Sequence, residues 1–439
     1  MDASALPPNS KMQNCLPEAV LLHILSFLPT KFAVGTSILS TKWRYLWISI
    51  PILDFCDHLL FSTKSTSEGQ NDTQLTFMNF VDRVLLFHKA DLLKFCLTCK
   101  TTHDPSRVNA WISTVIMRKV RELIIDVILK DSFAFPKCLF KCEALTVLKV
   151  EMDAVLNIPA SITFPSLKIL HCRHVGFLYD QLNEEVTLIF PTLEEFIMDG
   201  CAWLEIKSVN IYAPLLKRLD IDDDSNYGTS FYDMNIYAET LTSLKLSSCI
   251  CTYTLQNLPL IVDASIDLSS WETEKFGNIV DKLLKKICNV KDLKVWGDVI
   301  KVLSSNMPIF SNVVNLDVVI ADSLGSGHML NLLHKMPKIE SLVFSCGLYN
   351  CYDAEQLLTL TTLPQYFLAY LKSVEIRPFF GNKIELCIVK FLLKNARLLE
   401  KLTIISVSLL SRDLKRQMDV SKQLLLLPRA SATCVINFS

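Results

Sequence analysis

Apolar residues recur at helical spacing close to the start of the chain. Val20, Leu21, Ile24, Leu25 and Leu28 follow this spacing between Pro17 and Pro29. Proline suits the first turn of a helix and cannot continue one, so this segment is predicted to form a single helix. A second predicted helix begins near Thr30 or Lys31. It carries Val34, Ile38 and Leu39, and Trp43, Tyr45, Leu46 and Trp47 follow within five positions.

These two predicted helices contain more apolar surface than they can bury by themselves. A module of about 40 residues buries only part of its side chains internally. Part of the module must therefore contact something else. The contact can be with the rest of this chain or with another protein.

From residue 120 onward, a short pattern recurs in the order apolar-x-x-apolar-x-apolar. Its occurrences are Val120/Leu123/Ile125, Leu145/Leu148/Val150, Leu167/Leu170/Cys172, Leu193/Phe196/Met198, Leu216/Leu219/Ile221, Leu241/Leu244/Leu246, Val290/Leu293/Val295, Val313/Leu316/Val318, Ile339/Leu342/Phe344, Leu371/Val374/Ile376 and Leu399/Leu402/Ile404, with a weaker Ile261/Ala264/Ile266. Single matches occur in any α/β protein. Recurrence at intervals of roughly 20 to 32 residues predicts leucine-rich repeats that stack into a curved parallel sheet.

The segment between these two regions has mixed character. Ser62 to Gln74 is polar and is predicted to be a linker, and Leu75 to His88 is predicted to be an amphipathic helix. Leu93, Phe95, Leu97 and Cys99 alternate as in a strand, and Val108 to Met117 indicates another helix.

The N-terminal module closely resembles the plant F-box. The resemblance lies in Leu16-Pro17, in Ile24-Leu25-Ser26-Phe27-Leu28-Pro29-Thr30-Lys31, in Leu39-Ser40 and in Trp43-Arg44-Tyr45-Leu46-Trp47. It implies helices that dock on a Skp-type adaptor, which bridges to a cullin-RING ubiquitin ligase. The adaptor-binding residues expected from it are Leu16, Pro17, Ile24, Leu25, Leu28, Leu39, Trp43, Leu46 and Trp47. One departure is Met12-Gln13-Asn14-Cys15, where the family often has Asp-x-Ile-Ser.

The C-terminal part resembles the FBD domain of plant F-box proteins. The residues concerned are Leu371-Lys372-Ser373-Val374-Glu375-Ile376, Phe380-Gly381, Glu385-Leu386, Phe391 to Ala396, Leu399 to Ile404 and the tail from Pro428 to Phe438. They predict a strand, a helix from Leu386 and another strand, which would cap the last repeat. The chain is thus identified as a member of the plant F-box/FBD/leucine-rich-repeat family. The predicted domains are an F-box at 12–58, a linker with the first helix and strand at 59–119, repeats at 120–365 and an FBD domain at 366–439.

Composition bears on compartment and partners. The formal net charge of −1 argues against a general nucleic-acid binder, and no apolar run reaches the roughly 18 residues of a membrane span. The fifteen cysteines are scattered, and the N-terminus does not have the features of a secretory signal. We expect reduced thiols and a cytoplasmic or nuclear protein.

Three clusters could indicate chemistry, and each has a structural alternative that we favour. Cys96-x-x-Cys99 could be a thiol redox pair or half of a zinc site, but alternation along a strand points the two side chains to opposite faces. His171-Cys172-Arg173-His174 could bind a metal, but Cys172 takes a position that faces the core while His171 faces away from it. Asp222-Asp223-Asp224 could bind a hard cation, but the segment follows a repeat strand, where a solvated turn is expected. Cys201 and Cys249 occupy the repeat position that holds Asn or Cys in this family. No catalytic residue, metal or cofactor is predicted.

Residues that alternate with the buried ones should line the concave face of the repeats. In the middle repeats these positions include Glu195, Asp199, Asp220, Asp222, Asp263 and Asp267, with Trp296 at the edge. We expect an acidic face that binds a target protein through a basic segment, although charge is also ordinary on an exposed surface.

The sequence supports a non-catalytic substrate-recognition subunit of an SCF-type E3 ubiquitin ligase. The alternative is a non-proteolytic leucine-rich-repeat scaffold that does not recruit a cullin. An enzyme on the repeat fold is a third class, and no recognised catalytic motif favours it.

Overall fold

The computed structural model describes most of the chain in two compact units. The described residues are 16–59, 70–129, 132–179, 184–223, 232–248, 251–256, 258–269, 273–302, 307–321, 323–359, 364 and 367–439. The first unit comprises Met1–Lys130 and Pro136–Leu145, and the second comprises Asp131–Phe135 and Thr146–Ser439.

In its described residues, the first unit contains four helices and three parallel strands. These are α1 (Glu18–Leu25), α2 (Thr30–Gly35), β1 (Ile52–Cys56), α3 (Gln70–Phe87), β2 (Lys94–Thr102), α4 (Pro105–Met117) and β3 (Glu122–Ile128), with short 3-10 turns at Thr36–Ile38, Leu46–Ser49, Asp57–Leu59 and Leu139–Lys141. β2 lies between β1 and β3, and both pairings are parallel.

Three predicted boundaries in this unit need correction. The second helix ends at Gly35, so Ile38 lies in a 3-10 turn and Leu39 follows it. The predicted linker overlaps α3, which already begins at Gln70, and its residues 62–69 lie outside the described part of the chain. Leu93 precedes β2 and is exposed, whereas Phe95, Leu97 and Cys99 are buried as predicted.

The second unit is a leucine-rich-repeat solenoid. Its strands are β4 (Phe133–Ala134), β5 (Val147–Asn157), β6 (Ser161–Thr163), β7 (Ile169–Leu178), β8 (Glu185–Ile189), β9 (Glu195–Asp199), β10 (Ala202–Leu204), β11 (Ser208–Tyr212), β12 (Arg218–Asp222), β13 (Tyr232–Tyr237), β14 (Ser243–Ser248), β15 (Cys251–Leu255), β16 (Asp263–Leu268), β17 (Asp292–Trp296), β18 (Asn315–Val319), β19 (Leu324–Gly325), β20 (Ser341–Phe344), β21 (Cys351–Tyr352), β22 (Ser373–Phe379), β23 (Lys401–Ser406) and β24 (Val435–Phe438). Its helices are α5 (Thr273–Lys286), α6 (Gly297–Lys301), α7 (Ser326–His334), α8 (Ala354–Thr359), α9 (Lys383–Asn395), α10 (Ser408–Arg412) and α11 (Leu414–Leu426).

One long parallel sheet runs through this unit. Consecutive neighbours from β5 are β7, β9, β12, β14, β16, β17, β18, β20, β22, β23 and β24. The apolar residues of all the predicted repeat triplets are buried, including those of the weak one around Ala264. The last two residues of each triplet are two positions apart on a strand, so their side chains point to the same face of the sheet. This burial confirms the repeat prediction.

A second parallel sheet on the repeats was not predicted from the sequence. It has the order β15-β13-β11-β8-β6. Val209 and Ile211 on β11, like Met234 and Ile236 on β13, point into the core. From α5 onward the corresponding connections contain helices.

The C-terminal residues continue the sheet and cover its last repeats. β22, α9 and β23 form the predicted strand-helix-strand, and β24 extends the register from Lys401↔Val435 to Ile404↔Phe438. Asn382 and Glu385 form a capping box at the start of α9, where Glu385 also accepts hydrogen bonds from the backbone of Phe380. These bonds satisfy the first amides of a helix whose inner face is buried.

Gly347 is a position where we expect a large loss of stability on substitution. Its φ is +72°, and an added Cβ would lie 2.3 Å from the backbone oxygen of Pro378. Backbone cannot move aside as a flexible side chain can, so Gly347→Ala should lower the free energy of unfolding by about 2–4 kcal/mol. Gly327→Ala on α7 is the control, since nothing lies within 4 Å of its added Cβ. Thermal melts should show a lower midpoint only for Gly347→Ala. Equal midpoints for both variants would contradict this.

Candidate functional site

Helix α1 has two apolar stripes. Leu21 and Leu25 are buried and lie one turn apart. Val20 and Ile24 are about 40% exposed and also lie one turn apart, on a different side of the helix. An amphipathic surface helix needs one apolar stripe to contact its own core. The second stripe is therefore available to another molecule.

The segments around α1 extend this exposed apolar surface. Leu16 and Phe27 continue the outer stripe before and after the helix, and both are at least half exposed. Ile38 is 89% exposed and Leu39 is 65% exposed. Large apolar patches on soluble proteins mark interaction sites. We define the apolar docking surface by these exposed residues, namely Leu16, Val20, Ile24, Phe27, Phe32, Ile38, Leu39 and Tyr45.

The predicted adaptor-binding residues divide into three groups in the structure. Leu16, Pro17, Ile24 and Leu39 are exposed, while Leu28, Trp43 and Trp47 are half-buried. Leu25 and Leu46 are buried, so these two support the surface from inside and do not lie on it. Val20, Phe27, Phe32, Ile38 and Tyr45 were not in the predicted set.

Polar contacts fix the helices to β1. The buried Thr30 hydroxyl accepts a 2.7 Å hydrogen bond from the Asp54 amide, and Lys31 donates to the Leu59 carbonyl. Lys42 donates to the Leu16 carbonyl at 3.0 Å. These contacts tie the segments that carry the apolar docking surface to one another and to the end of β1.

Buried His88 connects three segments of the first unit through hydrogen bonds. Its Nε2 donates to the Ile50 carbonyl at 2.7 Å, and its Nδ1 accepts from Arg118 Nη1 at 3.2 Å. Because a carbonyl only accepts and a guanidinium only donates, these partners require the neutral ring. Burial lowers the pKa of His88 and the Arg118 charge lowers it further, although the bond to Ile50 acts in the opposite direction.

The neutral state of the buried His88 ring predicts a specific dependence of stability on pH. The unfolded chain has an ordinary histidine pKa of about 6.5, which is above the folded value, so unfolding takes up a proton in acid. The contribution of His88 to stability is thus complete above pH ~6.5 and falls below it, by at most roughly 1.4 kcal/mol per pH unit. His88→Gln should remove this component. Urea denaturation of both proteins at pH 7.5 and pH 5.5 measures it, and equal pH slopes would contradict it.

A second buried cluster lies where β1 ends. The Asp57 carboxylate accepts hydrogen bonds from the Lys100 amide and from the Thr101 amide and hydroxyl, and His103 Nε2 lies 3.4 Å away. Burial acts to raise the pKa of Asp57, but these hydrogen bonds lower it to about 2. Asp57, Cys99 and His103 place potential metal-ligand atoms within 4.8 Å of one another. Because the carboxylate is already bonded to backbone amides, we interpret the cluster as a structural anchor.

On the repeat sheet, strand register arranges the outward side chains in rows. We define the polar face by the outward positions of β9, β12, β14, β16, β17 and β18. Its central row is Ile197, Asp220, Lys245, Ser265, Lys294 and Asp317. One flanking row contains Glu195, Arg218, Ser243, Asp263, Asp292 and Asn315, and the other contains Asp199, Asp222, Ser247 and Asp267.

Basic side chains lie next to several carboxylates of this face and reduce the repulsion between like charges, and Lys294 Nζ does so 3.2 Å from Asp317. Lys245 Nζ lies 3.2 Å from Asp220 and 4.0 Å from Asp222, and Arg173 lies 3.4 Å from Asp199. Lys245 was missing from the predicted set because β14 contributes no acid, and only the register shows that it lies beside Asp220.

Hydrogen bonds hold other carboxylates of the polar face. Glu195 accepts from His171 Nε2 at 2.6 Å, and Asp263 accepts from the Ser243 hydroxyl at 2.6 Å. Burial lowers the pKa of His171, while the bond to Glu195 acts to raise it. Carboxylates still outnumber cations on the polar face, because its outward positions hold many Asp and Glu but only Arg218, Lys245 and Lys294 as cations.

A depression of about 260 Å³ lies on the polar face between β16 and β20. Asp263, Asp292, Asp317 and Asn315 contribute to its lining. Trp296 is half-buried at the end of β17, and Lys294 Nζ lies 5.1 Å from its ring centre. The cation–π contact that Trp296 could offer to a target is therefore made by a lysine of this chain.

The other candidate clusters take structural positions. Cys96 is half-buried and Cys99 fully buried, on opposite faces of β2 as predicted, and burial raises the pKa of Cys96 to about 11. Cys172 is buried, and Cys201 donates to its carbonyl at 3.4 Å. Asp222 is the last residue of β12 and Asp223 follows it. Asp224 and Cys249 lie outside the described residues.

Fold and site together define a leucine-rich-repeat protein with an N-terminal helical module. A family model for the F-box domain matches residues 14–55, and one for FBD matches residues 361–404. F-box/LRR-repeat protein At4g14103 of Arabidopsis thaliana is 31% identical over 366 residues, which cover 77% of this chain and 93% of that protein. F-box/LRR-repeat protein At4g14096 of the same plant is 29% identical, over 96% of this chain and 93% of that protein.

The FBD segment is also present in named relatives. Putative F-box/FBD/LRR-repeat protein At3g59240 of Arabidopsis thaliana is 29% identical, over 95% of this chain and 87% of that protein. The chain belongs to the plant F-box/FBD/leucine-rich-repeat family. Proteins of this family are in general non-catalytic adaptor subunits, and an F-box domain in general binds a Skp-type adaptor. Among the described residues, no helix combines the length and apolarity needed to span a membrane.

Proposed function

We propose that this protein is the substrate-recognition subunit of an SCF-type cullin-RING E3 ubiquitin ligase. In this role the F-box docks a Skp-type adaptor, which links it to the cullin, and the repeats bind the target protein. The protein itself catalyses no step. It raises the concentration of the target near the ubiquitin-conjugating enzyme, which a separate subunit recruits. Such ligases act in the cytoplasm and nucleus, where we place this protein.

The observation that carries this proposal is the apolar docking surface within the F-box match. Its outer stripe on α1 has no role in the core of the first unit, since Leu21 and Leu25 already supply the inner stripe. Complexes are commonly anchored by a few large apolar side chains, and their truncation often costs about 2 kcal/mol or more.

Co-expression with a Skp-type adaptor tests the proposal. The wild-type chain and the adaptor should co-elute as an equimolar complex in size-exclusion chromatography. Leu16→Ala combined with Pro17→Ala should prevent co-elution, because both residues are exposed and lead into α1. An unchanged complex would contradict the proposal. The alternative, a scaffold without cullin recruitment, predicts that cullin is absent when the adaptor complex is purified from plant cells.

We further propose that the polar face contacts the target through a basic segment. The excess of carboxylates supports this, and so does the depression whose lining includes Asp263, Asp292 and Asp317 beside Lys294. Cations of the target would replace or add to contacts that Lys245 and Lys294 now make. Such complementary charge accelerates association and makes it sensitive to salt.

The triple variant Asp220→Asn, Asp222→Asn, Asp263→Asn tests this second proposal once a target has been recovered. Target affinity should fall about tenfold at low salt, and the difference should shrink as salt rises. The matched control neutralises three exposed acids elsewhere in the same unit, in Glu185→Gln, Asp233→Asn and Glu239→Gln. Equal loss in both variants, or no loss in the first, would exclude the polar face as the contact.

A further inference from the structure

Helix α11 presents a narrow apolar stripe to solvent. Leu414, Met418 and Leu425 are between 61% and 75% exposed, and their spacing of four and seven residues places them on one side of the helix. Val420 and Leu424, on another side of the helix, are its buried residues. The stripe is therefore not the face that attaches α11 to its own unit. It also lies beyond the residues that the FBD model matches, 361–404.

The stripe has the pattern of a helix-pairing seam. Leu414, Met418, Ser421 and Leu425 follow one another at intervals of four, three and four residues, which is the heptad spacing of paired helices. Lys415 and Lys422 each follow a seam residue and are exposed. In paired helices, the positions beside the seam set the choice of partner through charge.

Anchoring of α11 keeps the seam in place. Asp413 caps the helix by accepting from the Arg416 amide at 3.0 Å, and Arg416 Nη2 donates to the Phe380 carbonyl at 3.3 Å. Gly381 lies against Val420, where an added Cβ would be 2.8 Å from a methyl group of that residue. These contacts attach α11 to the turn around Gly381 in its own unit.

We propose that α11 is a second protein-docking surface, which pairs with an amphipathic helix of a partner that has acidic residues beside its own apolar seam. The charge complementarity to Lys415 and Lys422 identifies this occupant. A second copy of this chain fits less well, since its corresponding flanking positions hold lysine, glutamine and leucine and no acid. This surface is separate from the F-box and from the polar face, so it places a further protein on the same chain.

A designed peptide can serve as the probe. The peptide has three heptads with leucine at both seam positions and glutamate at both flanking positions, and the control peptide has lysine in place of glutamate. Fluorescence anisotropy with the full-length chain should show binding of the glutamate peptide at least about tenfold tighter than that of the lysine peptide, in a salt-sensitive manner. Lys415→Glu with Lys422→Glu should reverse the preference.

A seam variant and its control complete the test. Leu414→Gln, Met418→Gln and Leu425→Gln together should reduce binding at least about tenfold. Leu426→Gln should not, because this residue is 84% exposed but lies off the stripe. Equal binding of both peptides would overturn the proposal. It would also be overturned if the seam variant abolished self-association in sedimentation, or binding to vesicles of phosphatidylserine and phosphatidylcholine, without affecting peptide binding.

Discussion

Replacing Ile24 and Leu39 by alanine should reduce affinity for a Skp-type adaptor by about a hundredfold or more. Both side chains are exposed members of the apolar docking surface, and each large apolar anchor commonly contributes about 2 kcal/mol or more when truncated. Because neither side chain is buried in the first unit, the melting temperature should stay within about 2 °C of the wild type. Calorimetric titration with purified adaptor measures the affinity.

A matched control separates this surface from exposed apolar residues in general. Leu86 is 75% exposed on α3 of the same unit and lies outside the F-box match. Leu86→Ala should leave adaptor affinity unchanged. Leu25→Ala should behave differently again, since it empties a fully buried site and costs about 2–5 kcal/mol of stability. If Leu86→Ala weakened binding as much as the double variant did, the docking surface would be wrongly placed.

Deletion of Leu371–Ser439 should leave the repeats insoluble or strongly destabilised. The deleted part contains β22, α9, β23, α11 and β24, and its side chains cover the last remaining repeat strand, β20. Terminal repeats need a capping element with a polar outer face, because each repeat buries its apolar face only against its neighbours. A truncated protein that stays monomeric and melts at the wild-type temperature would contradict the capping role.

A point variant tests the same claim without removing a domain. Phe391 on α9 is 1% exposed, with its ring 5.9 Å from that of Phe367. Phe391→Ala should cost about 3–5 kcal/mol. Leu398→Ala should change stability by no more than about 0.5 kcal/mol, because Leu398 is 52% exposed. Thermal melts of the two variants in parallel give the comparison.

The repeat sheet could be predicted from the sequence because its signal recurs. Each repeat buries two alternating strand residues and one apolar residue three positions before them. Because every repeat has this requirement, the same apolar triplet recurs along the sequence, even around Ala264, where it is weaker. The second sheet has no comparable signal. Its strands bury short alternating sets, such as Val209 with Ile211 or Met234 with Ile236. Such a short pattern also occurs in loops that contain apolar residues, so it does not identify a strand.

The candidate sites could be predicted only in part. Apolar spacing identifies α1 as a helix, but it does not distinguish the outer stripe with Ile24 from the inner stripe with Leu25, because both have the same period. Neighbours across the sheet pose a similar problem. The distance between Asp220 and Lys245 depends on strand register, which is fixed by the fold of both repeats together and not by either segment alone.

Affinity purification of the tagged chain from plant cells, with the proteasome blocked, tests the central claim most directly. Mass spectrometry should find a Skp-type adaptor and a cullin together with ubiquitinated target. All ligase subunits should be lost from the Ile24→Ala, Leu39→Ala variant, while the target itself is retained through the repeats. Recovery of the target with neither adaptor nor cullin from the wild-type chain would contradict the ligase role and favour the scaffold alternative.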